Sequence, residues 1–271
     1  MKFKAIDKMW QYVIFTYLLL WFMILCFGGI ATFVFNASPL AMRFVTTLCS
    51  WAPTIVLLAT LNKLRSGSTI KSFYKKAFKE RLNFRIFLVA TMLIVGIFLV
   101  STWLLSLFDK TTISAQLNFI VTALGLNILL TAIQGASGEE SGVRGYLLPE
   151  METRYGFLKG NLILGLVWAF WHLPLWFILT DYSGMHLLLY IISFIVSITA
   201  FSTIIGVFMK KCNNLLLAFC MHFMFNFVLT FFVGNAVYLL TLLALLYTAA
   251  AVIYVALYLK RNDHSLGQLT E

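Results

Sequence analysis

A chain of 271 residues that is 61% hydrophobic and only 11% charged lacks the polar surface of a soluble domain, where about a quarter of the residues are charged. Its net charge of +10 would suit nucleic acid, but the basic residues fall between apolar runs rather than on one face, which excludes that partner class. Runs of about twenty apolar residues recur from end to end, the length a helix needs to cross the hydrocarbon core. Period-2 alternation, the mark of a transmembrane barrel, is absent.

In chain order the apolar runs predict eight spans, near 12–35, 41–62, 86–108, 117–137, 158–180, 185–208, 214–232 and 235–259. The fold class expected is all-α, a polytopic membrane protein with about eight transmembrane helices in one bundle. With the N-terminus in the cytoplasm, 18 of the 20 basic residues fall inside, Arg144 among them, and only Arg43 and Lys110 fall outside. The positive-inside rule therefore predicts a multi-pass protein of the cell membrane with both termini cytoplasmic. The first span has a basic start but no small-residue cleavage site after it, so it reads as a retained anchor. Between the second and third spans, Phe73, Tyr74, Phe78 and Leu82 alternate with lysines at spacings that suit an interfacial amphipathic helix. The four cysteines (Cys26, Cys49, Cys212 and Cys220) lack CxxC spacing and read as packing residues.

Polar groups inside a bilayer are costly and mark function by default. The acidic residues within or against spans are Asp109, Glu139, Glu140 and Asp181, and the histidines are His172, His186 and His222, with His264 in the polar tail. Three clusters stand out. Over residues 135–150, helical spacing puts Gly135, Gly138, Gly142 and Gly145 on one stripe that lets a neighbouring helix approach. On the same turn Glu140 pairs with Arg144 four residues on, and Glu139 is turned about 100° away. Over residues 168–176, His172 shares a face with Trp168 and Trp176, and Pro174 interrupts the helix beside it. On the seventh span, His222 and Asn226 are four apart on one face flanked by phenylalanines.

A glutamate near a histidine can make water a nucleophile. A histidine and an asparagine side by side can donate to the oxyanion of a tetrahedral intermediate. The same Glu139, His172 and His222 could instead ligate a divalent metal such as zinc, and both chemistries remain open at this point. Either way the reaction indicated is hydrolysis of a carbonyl bond inside the membrane, a peptide bond first of all. Depth does not fit at one place. His222 lies about 12 Å into its span, while His172 lies about 21 Å into its own and Glu139 sits at the cytoplasmic end of the fourth. The fifth helix is expected to start in the cytoplasm or to be lowered by its kink, so that the set opens toward the basic cytoplasmic side.

Glu139, Glu140 and Arg144 in the spacing E-E-x-x-x-R, Trp168 and His172 as aromatic-x-x-x-H, and His222 and Asn226 as H-x-x-x-N resemble the motifs of the CPBP family, the CAAX prenyl protease 2 and Abi-type intramembrane proteases. The resemblance implies that Glu139 activates water with His172, that His222 and Asn226 form the oxyanion site, and that Glu140 and Arg144 hold the helix in place. It leaves a metal and a metal-free mechanism both open. It implies a membrane-associated peptide or protein as substrate, with bacteriocin self-immunity, peptide-signal maturation or CAAX-type processing as the associated roles. The organisation expected is scaffold helices and a basic loop over 1–114, a protease core over 115–232, and a last helix and tail over 233–271. The alternatives are a non-proteolytic immunity or scaffolding protein and a transporter, which should carry paired broken helices in both halves. Oligomeric state is not legible.

Overall fold

The computed structural model describes residues 6–178 and 180–267, with side chains as far as residue 261. Lys2, Lys4 and the side chain of His264 lie outside the described residues. Among the described residues, counting segments that run on through a tight turn as one, the chain forms nine helices of eight residues or more and no strand. They are α1 (Lys8–Phe33), α2 (Pro39–Leu64), α3 (Ile70–Ala77), α4 (Phe84–Phe108), α5 (Val121–Tyr155), α6 (Phe157–Ile178), α7 (Gly184–Lys211), α8 (Leu215–Leu229) and α9 (Ala236–Gly267). Seven of these are long and apolar enough to cross a membrane. The segment expected to be the seventh of eight spans is shorter than predicted: α8 is an apolar helix of 15 residues, about 22 Å at the usual rise. The protein is an all-α polytopic membrane protein.

Local chemistry sets the helix starts. Asp7 Oδ1 accepts from the Met9 amide at 3.0 Å, and Ser38 Oγ accepts from Ala41 ahead of Pro39 at the first helical position. Thr69 and Ser72 form a reciprocal capping box on α3, and Asn83 and Asn214 cap α4 and α8. Between α5 and α6 the chain turns at Gly156, whose φ of +78° suits a residue without Cβ.

The outside of the bundle is apolar and the inside is studded with small polar groups, the reverse of a soluble protein. Phe22, Phe33 and Leu245 are exposed, whereas Ser101, Thr102, Ser197, Ser202 and Thr203 are buried. α7 packs along α9 and α6, α2 lies against α1 and α5, and α8 is set among α4, α5 and α7.

Polar contacts identify the two ends of the bundle. At one end Asp7 pairs with Arg154 (3.0 Å), Arg65 with Glu150 (2.8 Å) and Lys210 with Glu152 (2.5 Å), and Glu80 accepts from the Asn213 amide (2.8 Å). This end carries α3 and nearly all the basic residues. At the other end the Asn118 amide donates to Phe231 O (2.8 Å) and the Val233 amide to Gln116 O (2.9 Å). Arg144 belongs to neither end. Predicted as a cytoplasmic charge, it is 2% exposed in the middle of the bundle, because α5 continues to Tyr155, well past the boundary expected near residue 137.

Candidate active site

The site is built on a break in α5. Gln134 has an extended ψ of 147° and Gly135 a φ of +57°, so the helix unwinds for two residues and resumes before Glu139. Unwound backbone at membrane depth persists only where its polar groups find partners, and α2 supplies them. Trp51 Nε1 donates to Ile133 O (3.0 Å), the Gly135 amide donates to Ser50 Oγ (3.1 Å), and the Gln134 amide group donates to Thr46 Oγ1 (3.3 Å). Residues of the second span, expected to be scaffold or substrate access, thus support the break.

The glycine stripe is only partly as predicted. Carbon added at Gly138 would lie 2.6 Å from Ser50 O, at Gly142 2.8 Å from Pro53 O, and at Gly145 2.7 Å from the Phe73 ring, so these three admit α2 and α3. Gly135 leaves the stripe because its backbone is not helical. It faces α8 instead, where an added Cβ would sit 2.9 Å from both His222 Nε2 and Asn226 Nδ2. Those two nitrogens thus converge on one small volume that only a glycine leaves open.

Helical rotation separates the two adjacent glutamates. Glu140 Oε1 accepts from Arg144 Nη1 (2.8 Å) and lies 2.7 Å from His222 Nδ1. Arg144 Nη2 donates to Ser202 Oγ (3.2 Å), and its guanidinium stacks 4.1 Å from the centre of the Trp168 ring. Glu139 faces the other way, where Trp168 Nε1 donates to its Oε2 at 2.6 Å. The sequence reading placed Trp168 in a motif but assigned it no partner; its signal was an indole one helical turn before a histidine.

His172 sits at a break in α6. Its amide donates to Ala169 O (3.1 Å), not to the carbonyl four residues back, and Pro174 has no amide to give. The Trp168 carbonyl is left free and pairs with His172 Nδ1 at 2.8 Å, which fixes the tautomer with Nε2 as the acceptor. Aromatic hydrogen bonds from α1 hold this part of α6: Tyr17 Oη donates to Val167 O (2.5 Å) and Trp21 Nε1 to Trp171 O (3.1 Å). The depth mismatch disappears in the structure. Glu140 and His172 each lie sixteen residues from the Gly156 turn, so the early end given to the fourth span was the error.

Glu139, His172, His222 and Asn226 line one cavity of about 510 Å³. His222 and Glu139 are buried, and His172 and Asn226 are half-buried. The cavity runs toward the end of the bundle that carries Phe232 and Ala236, away from the basic end. This corrects the expectation that the set opens toward the basic side. On that side the site helix is closed off by α3, whose Phe73 is 6% exposed and packs on Gly145 while Tyr74 Oη bonds Ser141 Oγ (3.1 Å). Of the other flagged residues, Asp109 binds Gln116 Nε2 (2.9 Å), while Asp181 and His186 are exposed, and none of the three lines the cavity.

Glu139, His172 and His222 do not fit a shared metal. Among the described residues, no three His, Cys, Asp or Glu side chains come together closely enough to hold an ion. Glu139 is held by Trp168 Nε1, and His222 turns its Nδ1 to Glu140.

A family model described as Rce1-like, "Type II CAAX prenyl endopeptidase Rce1-like", matches residues 120–228. A CAAX prenyl protease 2 of Methanococcus maripaludis is 26% identical over 182 residues, which is 65% of this chain and 67% of the relative.

Proposed function

We propose that the chain is an Rce1-like, CPBP-type intramembrane protease and that it hydrolyses a peptide bond of a membrane-associated peptide or protein with water activated by Glu139. The observation that carries this reading is the meeting of Glu139, His172, His222 and Asn226 around one membrane-embedded cavity.

Each side chain has a role that its contacts prepare. Glu139, oriented by the Trp168 indole, takes the proton of the attacking water. His172, with Nδ1 on the Trp168 carbonyl, offers Nε2 to the same water. Asn226 Nδ2 and His222 Nε2 donate to the carbonyl oxygen as it gains charge. His222 Nδ1 faces the Glu140 carboxylate, which orients the ring so that Nε2 meets Asn226 Nδ2 at Gly135. Arg144 compensates Glu140 in turn, so the buried charges come as a set. The proton held by Glu139 then passes to the leaving amine.

The basic end, with both termini, lies in the cytoplasm on the positive-inside rule. The cavity then opens in the extracytoplasmic half of the membrane, and the scissile bond is presented from that half. Bacteriocin self-immunity and peptide-signal maturation suit such an orientation; CAAX-type processing, which acts on cytoplasmic prenylated tails, suits it less.

The test is purified protein in proteoliposomes against a panel of membrane-anchored peptides. Glu139→Gln is expected to lower turnover by about 10³-fold while unfolding as the parent does, since the glutamine oxygen still accepts from Trp168. Parent-like cleavage by that variant overturns the proposal.

A further inference from the structure

Arg43 and Arg144 both lie in the spans away from the basic end of this bundle, and they are treated differently. Arg144 has Glu140 at 2.8 Å. Arg43, on the first turns of α2, donates from Nη1 to Asn127 Oδ1 (2.6 Å) and from Nη2 to Thr131 Oγ1 (3.0 Å), both neutral acceptors on α5. Among the described residues no carboxylate lies within ion-pair distance of Arg43. A guanidinium carries five donors and stays protonated, so at least three N–H groups and a full charge are left without an acidic partner. Keeping such a charge inside a membrane protein is costly unless it faces a cavity or meets an anion.

Arg43 does face a cavity, the one lined by Glu139, His172, His222 and Asn226. Arg43, Thr46 and Ser50 form a single wall of it along α2. Ser50 holds the Gly135 amide, next to the His222–Asn226 pair, and Thr46 holds Gln134. Arg43 is seven residues before Ser50, roughly 10 Å along the helix toward the cavity's open end. Most of the remaining lining is apolar, including Leu175, Phe194, Leu239 and Leu243. The two neutral bonds tie the guanidinium to α5 and so fix where its free donors point.

We propose that Arg43 is a specificity-determining residue that binds a substrate carboxylate, displaced from the scissile bond toward the open end of the cavity. This rests on the peptidase reading above. The carboxylate is either the substrate's C-terminus or an acidic side chain, and a charge-assisted pair of this kind separates acidic from neutral substrates by about 10- to 100-fold.

The experiment measures binding and cleavage separately. Dansyl-labelled decapeptides of Ala, Leu and Phe are prepared as the free acid, as the amide, and as the amide carrying one internal Asp. Binding to the Glu139→Gln protein in phosphatidylcholine nanodiscs is read by energy transfer from its tryptophans. The free acid, the Asp peptide or both are expected to bind about 10- to 100-fold more tightly than the neutral amide, and which of them does identifies the carboxylate. In the Arg43→Gln background that preference disappears while neutral-amide affinity holds, and Arg43→Lys restores part of it. Equal binding of all three peptides by the arginine-bearing protein overturns the proposal, and that comparison needs no Arg43 variant to fold. A preference that survives Arg43→Gln also overturns it. So does an Arg43 effect seen only with phosphatidylglycerol in the discs and independent of the peptide, which assigns the guanidinium to a lipid phosphate. Cleavage by protein with Glu139 intact keeps the two readings apart. A carboxylate preference without any hydrolysis sinks the peptidase and leaves Arg43 as an anion site. Glu139-dependent hydrolysis blind to acid and amide does the reverse.

Discussion

His222 Nδ1 lies 2.7 Å from Glu140 Oε1, and the same oxygen accepts from Arg144. The second glutamate of the pair is therefore coupled to the candidate oxyanion site and is more than a helix support. Glu140→Gln keeps the shape and removes the charge that His222 Nδ1 and Arg144 Nη1 share. Turnover is expected to fall about 100-fold, in kcat more than in KM. Glu140→Ala leaves Arg144 buried without a counter-charge and is expected to destabilise the fold by about 3–5 kcal/mol. Steady-state kinetics and thermal unfolding of both variants in one detergent separate the two effects.

Trp168 both orients Glu139 through its Nε1 and covers the Arg144 guanidinium with its ring. Trp168→Phe keeps the aromatic face and deletes the indole donor. The expected outcome is a kcat about 10- to 100-fold lower, from loss of a bond to a charged group, with the protein still folded. Trp168→Ala, which removes the ring as well, should lower the melting temperature in addition.

Gly135 has a φ of +57°, and its missing Cβ would sit 2.9 Å from the His222 and Asn226 nitrogens. Gly135→Ala is expected to abolish at least about 99% of turnover and to cost about 1–3 kcal/mol, since it adds backbone strain to a steric clash. Gly125, on the same helix, has nothing within 4 Å of an added Cβ. Gly125→Ala should match the parent in activity and in melting temperature.

The side on which the cavity opens follows from membrane orientation. With the four native cysteines replaced, Ser114→Cys reports on the cavity end and Ser66→Cys on the basic end; both positions are exposed. A membrane-impermeant maleimide added to intact cells should label the first and not the second. The opposite pattern would turn the cavity to the cytoplasm and favour substrates presented there.

Composition and the length of the apolar runs were enough for the membrane class and nearly all the helices, because both are set by the cost of polar groups in hydrocarbon. Local spacing was enough to pair Glu140 with Arg144 and to place His222 beside Asn226, since residues four apart on a helix are neighbours whatever surrounds them. It also located the interruption at Pro174, which a missing amide dictates. Where a face looks is another matter, because it depends on the depth and rotation of one helix against the next. Tertiary contacts from Trp51, Ser50 and Thr46 let α5 unwind at Gln134 and Gly135, which moved Gly135 off its stripe to face His222 and Asn226. α5 runs on to Tyr155, which buries Arg144 and brings His172 level with the glutamates. Arg43, only a topology marker in the sequence, became a cavity residue when α5 supplied Asn127 and Thr131. The closure by α3 on one side and the cavity on the other are likewise sums over several helices, beyond the reach of any single stretch of chain.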